Sequence, residues 1–433
     1  MKAVTLEDIV SLCKRRGFIF QGSDIYGGLA GTWDYGPLGV ALKRNIMNLW
    51  WKLFVEDQED MLGIDAAILM NQKVWQASGH TETFTDPLVE CSNCHSRFRA
   101  DKIDISKCPV CGQSGTFGEP RQFNMMLKTH VGPVEDESSV SYLRPETAQG
   151  IFTNYKNVID SFYPDIPFGL AQQGKAFRNE ISPRDFVFRA REFEQMEIEY
   201  FVRPDAWEPA FEEWRKRIHN WFNVLGLAED MITEVEVPAE DRAHYSKRTI
   251  DFNFAFPHGS DELLGLAYRT DFDLMNIQRA TGRSMGYRPK GGGDEFVPHV
   301  IEPSFGVERA VMAVLVSAYT EDNINGEART YLKLPATIAP VKVAVSPLLK
   351  NKPELVHKAR EVYALLKKTY GAVMWDDNGN IGKRYRRQDE IGTPHCVTID
   401  FQTLEDNAVT VRNRDTTEQR RTPISELVSF LAW

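Results

Sequence analysis

Residues 188–200 alternate between two kinds of side chain, and this alternation restricts the possible fold more than any other feature of the sequence. In a β-strand, successive side chains point to opposite faces. A strand over this segment therefore places its cations, an aromatic ring and a carboxylate on one face: Arg189, Arg191, Phe193, Gln195 and Glu197. The other face carries Met196, Ile198 and Tyr200, which suit a hydrophobic core.

The polar face of this strand suits ATP bound beside an ammonium group. Guanidinium groups bind phosphates, an aromatic ring such as Phe193 stacks on a base, and the Glu197 carboxylate attracts an amine. The alternative is an ordinary strand with solvated charges on its outer face, which is common because charged side chains are mostly exposed. The segment by itself leaves both interpretations open.

A second segment, residues 299–310, predicts a strand, a turn and the start of a helix. The strand ends in Glu302-Pro303-Ser304, the turn falls at Phe305-Gly306, and Arg309 stands on the first helical turn. Glycine at position 306 allows a backbone to approach a ligand closely, and Arg309 is placed to reach a phosphate. An ordinary strand–turn–helix with a surface arginine is the alternative.

Four of the six cysteines form two short pairs, Cys91-x2-Cys94 and Cys108-x2-Cys111, with 13 residues between the pairs. Each pair supplies two thiolates from one loop, a spacing typical of tetrahedral zinc. Four thiolates close the coordination shell, so the spacing predicts structural Zn²⁺. Two surface disulfides are the alternative, and they conflict with a reducing compartment.

Composition bounds the compartment and the partners. No run of about 18 apolar residues exists, so we expect no transmembrane helix and no membrane partner. The N-terminus reads as an amphipathic helix capped by Thr5 and not as a secretory signal, which predicts a cytoplasmic protein. The net charge is −10, but residues 338–433 hold 15 Lys+Arg and 12 Asp+Glu, a local balance of +3 that permits RNA binding.

Two prolines in residues 331–340 (YLKLPATIAP) mark a domain boundary. Beyond it, alternating strand and helix patterns predict a small α/β domain. Before it, the patterns predict a helix after Pro37, strands at 169–178, 186–202 and 249–256, a helix at 205–225, and a strand followed by a turn at 263–276.

Taken together, these segments resemble the motifs of class II aminoacyl-tRNA synthetases. Motif 2 is matched by Phe177-Arg178-Asn179-Glu180 with Phe188-Arg189-Ala190-Arg191-Glu192-Phe193, motif 3 by Gly306-Val307-Glu308-Arg309, and motif 1 by the helix after Tyr35-Gly36-Pro37-Leu38-Gly39. The strings WDYGPLG, LRPETAQGIF, LGLAYRTDFDL, VIEPSFGVER and IGKRYRRQDEIGTPHCVTID resemble the homodimeric glycyl-tRNA synthetase family. The resemblance runs from about residue 5 to the end of the chain.

The resemblance implies an α+β fold with two domains. Residues 1–335 would form a class II catalytic domain, an antiparallel sheet flanked by helices, with a zinc-ribbon-like four-cysteine insert at 88–120. Residues 338–433 would form an α/β anticodon-binding domain. In this family the motif 1 helix builds the interface of a homodimer.

The resemblance also implies the reaction and its partners. Such an enzyme is a glycine–tRNA ligase: it activates glycine with ATP and Mg²⁺ to glycyl-adenylate, releases pyrophosphate, and transfers glycine to the 3′ end of tRNA(Gly), releasing AMP. Arg178 and Arg309 would be catalytic, and Glu262 is the candidate Mg²⁺ ligand. Because no amino acid is smaller than glycine, a filled pocket can select it by excluding a Cβ, at roughly 1–3 kcal/mol per excess methyl.

The family's binding residues carry over to matching positions of this sequence. ATP would contact Arg178, Asn179, Glu180, Phe188, Arg189, Ala190, Arg191, Glu192, Phe193, Glu262, Leu263, Gly306, Val307, Glu308 and Arg309. Glycine would contact Arg99, Glu146, Phe193, Glu194, Gln195, Met196, Glu197, Arg269, Glu302, Pro303, Ser304, Phe305 and Gly306, with Arg269 facing its carboxylate. The anticodon would meet the basic cluster Lys383, Arg384, Arg386 and Arg387, for which a solvated basic helix is the alternative.

Two other functions compete with this one. A non-catalytic relative that binds nucleic acid as an accessory subunit is expected to lack motif arginines, whereas Arg178 and Arg309 are both present. A class II synthetase for serine, threonine or proline fits the crowded carboxylates poorly. Two departures from the family pattern are Glu308, where class II enzymes often have glycine, and a short loop at 281–294.

Overall fold

The computed structural model describes residues 4–324 and 326–432. Its helices, in chain order, are α1 (Leu6–Arg16), α2 (Pro37–Trp51), α3 (Gln72–Ala77), α4 (His80–Thr83), α5 (Ala148–Phe162), α6 (Trp207–Leu225), α7 (Phe272–Thr281), α8 (Val307–Ala318), α9 (Pro353–Tyr370), α10 (Ile381–Glu390), α11 (Thr403–Asp406) and α12 (Leu427–Phe430). No helix within the described residues is both long and apolar enough to cross a lipid bilayer.

The strands belong to several sheets of different size. In chain order they are β1 (Ile19–Gln21), β2 (Trp33–Tyr35), β3 (Met61–Gly63), β4 (Thr85–Glu90), β5 (Arg97–Arg99), β6 (Arg121–Asn124), β7 (Leu127–His130), β8 (Val140–Leu143), β9 (Phe168–Phe177), β10 (Glu192–Val202), β11 (Ile232–Glu236), β12 (Arg248–Phe256), β13 (Gly259–Thr270), β14 (His299–Gly306), β15 (Tyr319–Ile324), β16 (Glu327–Leu332), β17 (Val343–Pro347), β18 (Val373–Trp375), β19 (His395–Ile399), β20 (Ala408–Asn413) and β21 (Gln419–Pro423).

A seven-stranded sheet in the order β11-β12-β13-β14-β10-β9-β3 carries the candidate site. All neighbouring strands in it are antiparallel except β3 and β9. The register of β10 sets Glu197 opposite Gln172 of β9 and Ser304 of β14. The two segments that the sequence singled out separately are therefore adjacent strands.

One face of this sheet packs on α2, α6 and α8. Phe305 of β14 contacts Trp50 of α2 and Trp221 of α6, with ring centroids 5.8 and 5.1 Å apart. Met196 and Ile198 of β10 are buried in the same cluster. Burial of side chains this large stabilises the fold by roughly 1.5–3 kcal/mol each, so this face has no room for a ligand.

Helix α5 covers one end of the opposite face. Phe152 and Tyr155 of the helix pack on Phe168 of β9 and Phe201 of β10. Phe201 lies on the same side of β10 as Glu197, since both positions are odd. The remainder of this face is left to polar side chains and forms the floor of a cavity.

Several predicted elements are confirmed, and others differ. Thr5 caps α1 in a capping box with Asp8, and α2 and α6 lie where the sequence patterns placed them. The strand predicted at 186–202 begins only at Glu192, because Asp185 and Phe186 have φ values of 58° and 59° and the chain turns there. The turn predicted within 263–276 is helix α7, strand β14 runs through the turn predicted at 305–306, and strands β1–β8, β11, β15, β16 and β21 were not predicted.

The C-terminal residues form a five-stranded sheet in the order β18-β17-β19-β20-β21, covered by α9 and with a hydrophobic cluster of its own. An ion-pair cluster joins this unit to the preceding β15–β16 hairpin. Asp389 of α10 accepts from Arg412 at 2.7 and 3.0 Å and from Arg329 of β16 at 3.4 Å. Because Asp389 and Arg329 are both buried, removing either partner would leave an uncompensated buried charge.

The contact between α2 and the segment before it generates a prediction. A Cβ added at Gly39 would lie 1.8 Å from the backbone oxygen of Phe18. We expect Gly39→Ala to destabilise the protein by about 1–3 kcal/mol, the usual cost of overpacking, and to lower the midpoint of thermal denaturation by several degrees. Gly382→Ala in α10 is the matched control, since its Cβ would be no closer than 3.7 Å to another residue. Equal midpoints for the two variants would contradict the close approach of α2.

Candidate active site

A cavity of about 440 Å³ opens on the uncovered face of the seven-stranded sheet. Most of the side chains predicted from the sequence line it: Arg99, Glu146, Arg178, Glu180, Phe188, Arg189, Ala190, Phe193, Gln195, Glu197, Glu262, Leu263, Glu302, Ser304, Gly306, Glu308 and Arg309. These residues come from separate strands and loops, so the fold brings together what the sequence holds apart.

The guanidinium groups of Arg178, Arg309 and Arg189 are part of the cavity lining. Arg178 lies 5.2 Å from the centre of the Phe193 ring and donates through Nε to the Pro145 carbonyl at 3.1 Å. Arg309 lies 4.5 Å from the centre of the Phe188 ring. Cations beside aromatic rings in a cavity suit a flat aromatic ligand that carries negative charge.

The third guanidinium, Arg189, has a weaker partner. Its Nη1 lies 3.6 Å from Oε2 of Glu180, beyond ordinary hydrogen-bond distance. Its Nε is buried and has no hydrogen-bond partner among the described residues. This side chain therefore retains donors for a ligand in the cavity.

Acidic groups lie next to Arg309. Its Nη1 donates to the Glu262 backbone oxygen at 2.8 Å and lies 3.1 Å from the Glu262 carboxylate. Asp251, on the neighbouring strand β12, also lines the cavity. Burial, followed by the charge of Glu262, raises the pKa of Asp251 to about 6. Two carboxylates beside a phosphate-sized space are suitable ligands for a hard divalent cation.

Buried carboxylates are also part of the cavity lining. Glu197 accepts from Thr147 Oγ1 at 2.5 Å and from Ser304 Oγ at 2.7 Å. Glu146 lies 3.3 Å from His80 Nε2, and His80 Nδ1 is hydrogen-bonded to Ser78 Oγ at 2.8 Å. Each carboxylate is thus held by neutral or cationic side chains behind it.

The pKa values of these carboxyls are pushed apart. Burial would raise the pKa of Glu146, but the charges of His80, Arg269 and Arg178 lower it to about 2. Burial and then the charge of Glu146 raise the pKa of Glu197. A site of this kind gains most from a ligand cation, because a positive charge relieves the repulsion between the carboxylates.

Arg269 lies behind the cavity and does not line it. It donates to both oxygens of Asp273 at 2.8 and 2.9 Å and to Glu302 through Nη1. The side chain is fully buried. The expected contact between Arg269 and a ligand carboxylate is therefore not formed in this arrangement, because both acidic neighbours already occupy the guanidinium.

Several other predicted contact residues point away from the cavity. Met196, Phe305 and Val307 belong to the hydrophobic core. Arg191 donates to the Ala30 and Glu180 carbonyls at 2.7 and 3.0 Å, so it braces a loop instead of meeting a phosphate. The remaining predicted side chains absent from the lining are Asn179, Glu192, Glu194 and Pro303.

The cavity also contains residues that the sequence did not identify: Met125, Val187, Val237, Asp241, Arg242, Ala243, Tyr245, Thr249, Asp251, Gly265 and Ala267. Thr249 and Asp251 alternate with the buried residues of β12, so strand periodicity was a usable signal for them. The loop at 237–247 has no periodicity, and only the folded chain shows that Arg242 and Tyr245 reach the site.

The four paired cysteines converge as predicted. Their Sγ atoms all lie within 4.8 Å of one another, and the Cys91–Cys111 and Cys94–Cys108 pairs are each 3.7 Å apart. All four are free thiols, so the disulfide alternative is wrong. The cluster adjoins a three-stranded sheet in the order β5-β4-β6. Arg99 of β5 lines the cavity and forms an ion pair with Asp86 of β4 at 2.9 Å.

The basic cluster of α10 divides into buried and accessible members. Arg384 is buried and donates to the carbonyls of Pro347, Asp377 and Gly379, so it stabilises the C-terminal unit. Lys383, Arg386 and Arg387 line a second cavity of about 890 Å³ between α10 and the β15–β16 hairpin.

The buried position of Arg384 generates a prediction. Arg384→Ala leaves several buried carbonyls without donors, so we expect a loss of stability of about 2–4 kcal/mol, since each unsatisfied group costs about 1–3 kcal/mol. Lys383→Ala is the control, because the Lys383 side chain is exposed on the same helix. Thermal denaturation checks both variants. An unchanged midpoint for Arg384→Ala would mean that these hydrogen bonds contribute nothing.

Comparison with known proteins agrees with this geometry. A family model described as the tRNA synthetase class II core domain (G, H, P, S and T) matches residues 133–319, and one described as an anticodon binding domain matches residues 342–432. The chain is 49% identical to a glycine–tRNA ligase of Streptomyces coelicolor, over 100% of this chain and 99% of the relative. It is 45% identical to a glycine–tRNA ligase of Thermus thermophilus, over 100% of this chain and 99% of the relative. The chain therefore belongs to the glycine–tRNA ligase family of class II tRNA synthetases.

Proposed function

We propose that this protein activates glycine with ATP and transfers it to the 3′ end of tRNA(Gly). The observation that carries the proposal is a single cavity lined both by the guanidinium groups of Arg178, Arg189 and Arg309 and by hydrogen-bonded buried carboxylates. The guanidinium groups suit the triphosphate of ATP, and the carboxylates suit the amino group of glycine. The cavity therefore offers a binding group for each substrate of the adenylation.

In the proposed complex, adenine stacks on Phe193, and Arg178 and Arg189 bind the phosphates. Attack of the glycine carboxylate on the α-phosphorus forms one P–O bond and breaks another, releasing pyrophosphate. The protein supplies in-line positioning and positive charge for this step. Arg309 moves off Phe188 to meet the nucleotide, and Glu262, with Asp251 beside it, would hold Mg²⁺ against the phosphates.

The carboxylates of Glu146, Glu197 and Glu302 bind the glycine ammonium. Every amino acid has that ammonium, so selection depends on space. Ala267 and Gly265 of β13 lie opposite Glu302 and Ser304 of β14, and the carboxylates fill the volume that a Cβ would need. Excluding one methyl group gives roughly 10–200-fold discrimination. Arg269 acts through Glu302 and not by direct contact with glycine.

The four-cysteine cluster would hold structural Zn²⁺. A tetrahedral Zn²⁺ with Zn–S distances of about 2.3 Å has sulfur–sulfur edges of about 3.8 Å, and the two closest pairs here are 3.7 Å apart. Four thiolates leave no open position, so the ion would tie β4 and β5 to the loop at 100–120. In this arrangement the ion supports Arg99 at the rim of the cavity.

The remaining assignments concern partners. Residues 1–335 act as the catalytic domain and 338–433 as the anticodon-binding domain, with Lys383, Arg386 and Arg387 contacting the tRNA. The protein works in the cytoplasm as a homodimer. Ile25 and Tyr26 are both 88% exposed, and such apolar exposure suits a subunit interface.

The test of the proposed function is exchange of pyrophosphate into ATP, measured with each of the twenty amino acids. We expect exchange with glycine and at most a few per cent of that rate with alanine or serine, because both carry a Cβ. Exchange driven best by serine or alanine would keep the adenylation chemistry and overturn the pocket assignment. No exchange with any amino acid would overturn the enzyme.

Two arginine variants form a matched pair in that assay, one as the test and one as its control. Arg309→Ala removes a cation from the cavity and is expected to lower the exchange rate about 100–1,000-fold, the usual effect of deleting one group that stabilises charge in the transition state. Arg279→Ala removes an exposed cation of α7 that does not line the cavity.

Metal analysis of the purified protein tests the zinc assignment. We expect about one Zn²⁺ per chain, and a large loss in Cys94→Ser, because three thiolates bind the ion less tightly than four. Cys396→Ser is the control, since Cys396 lies outside the cluster. Equal zinc content in the two variants would contradict the assignment.

A further inference from the structure

Glu199 is a buried carboxyl group that the proposed mechanism does not use. It lies on β10 two residues beyond Glu197, on the same face of the sheet, and its side chain is fully buried. Neither carboxyl oxygen has a hydrogen-bond partner among the described residues. A buried carboxylate without a partner is costly, so its chemical state needs an explanation.

The strand register places Glu199 beside a glycine-site residue. Glu197 pairs with Ser304 and Tyr200 with Ile301, so Glu199 stands directly opposite Glu302. Side chains in such a pair have Cβ atoms about 4.5–5.5 Å apart, and two like charges there are destabilising. One proton shared by the pair removes the repulsion.

The position of Arg269 decides which member of the pair is ionised. Arg269 donates to Glu302 and to both oxygens of Asp273, whereas neither oxygen of Glu199 accepts a hydrogen bond from a described residue. The charge of Arg269 lowers the pKa of Glu199 as well, but the other charged groups that act on Glu199 are acidic: Glu302, Glu197 and Asp273. Burial raises the pKa of Glu302 to about 8 in spite of Arg269. Burial, and then the charge of Glu302, raise the pKa of Glu199 well above its usual value.

We propose that Glu199 is a neutral carboxylic acid that donates its O–H to Glu302 and so positions that carboxylate for the glycine ammonium. Glu302 then has one partner on each side, Arg269 and Glu199, and its orientation is restricted before glycine binds. Glu199 touches no substrate and is a positioning residue. This inference rests on the proposed glycine site.

Two uncharged substitutions of similar size differ in whether residue 199 can donate a hydrogen bond. Glu199→Gln keeps a neutral donor, and we expect its KM for glycine to stay within about twofold of the unsubstituted protein. Glu199→Leu removes the donor, and we expect its KM for glycine to rise about tenfold, the usual effect of losing a hydrogen bond to a charged group. The KM for ATP should be unchanged in both variants, because Glu199 does not line the cavity and acts only through Glu302. Pyrophosphate exchange measures both KM values.

Infrared difference spectra of the unsubstituted protein against Glu199→Gln supply a second readout that does not depend on the folding of Glu199→Leu. We expect the unsubstituted protein to show the carbonyl stretch of a protonated carboxylic acid that the variant lacks. The proposal is overturned by a missing band, by an unchanged glycine KM in Glu199→Leu, or by a Glu199→Gln variant as impaired as Glu199→Leu. Absence of glycine-dependent exchange in the unsubstituted protein would instead overturn the proposed function, and the infrared test would still stand.

Discussion

The antiparallel pairing of β10 with β9 and β14 is the constraint on which the rest of the structure depends. It sets Glu197 between Gln172 and Ser304 and leaves Met196 facing the core. Side chains alternate with a period of two, so a slip of one residue would bury the carboxylates among the tryptophans and expose the apolar residues. The hydrophobic face therefore secures the register, and the register secures the site.

Once the register is set, the site is governed by the cost of burying carboxyl groups. Glu146 is supported by His80, Glu197 by hydroxyl groups, and Glu302 by Arg269. Desolvation disfavours charge in each case, and the local partner decides how far the pKa moves. Under the proposed function, a pocket arranged in this way suits a small ammonium group, which is the only cationic group that glycine offers.

Much of the fold and of the site was predictable, because local signals were strong there. Alternation identified the strand that carries Phe193 and Glu197, cysteine spacing identified a cluster whose Sγ atoms do converge, and periodicity located α6. The partners of single side chains could not be predicted in this way. Arg191 precedes the first residue of β10 and donates to backbone carbonyls, and carbonyl groups likewise occupy the guanidinium of Arg384.

By itself, the sequence determined the type of each local element, the motifs and the family resemblance, since these depend on residue type and spacing over short stretches. Only the tertiary structure decided which charged side chains are free to meet a ligand. Arg178 and Arg269 were both predicted to contact a substrate, yet one lines the cavity and the other is held behind it by Asp273 and Glu302. That difference arises from partners on other strands and helices, and no local pattern records them.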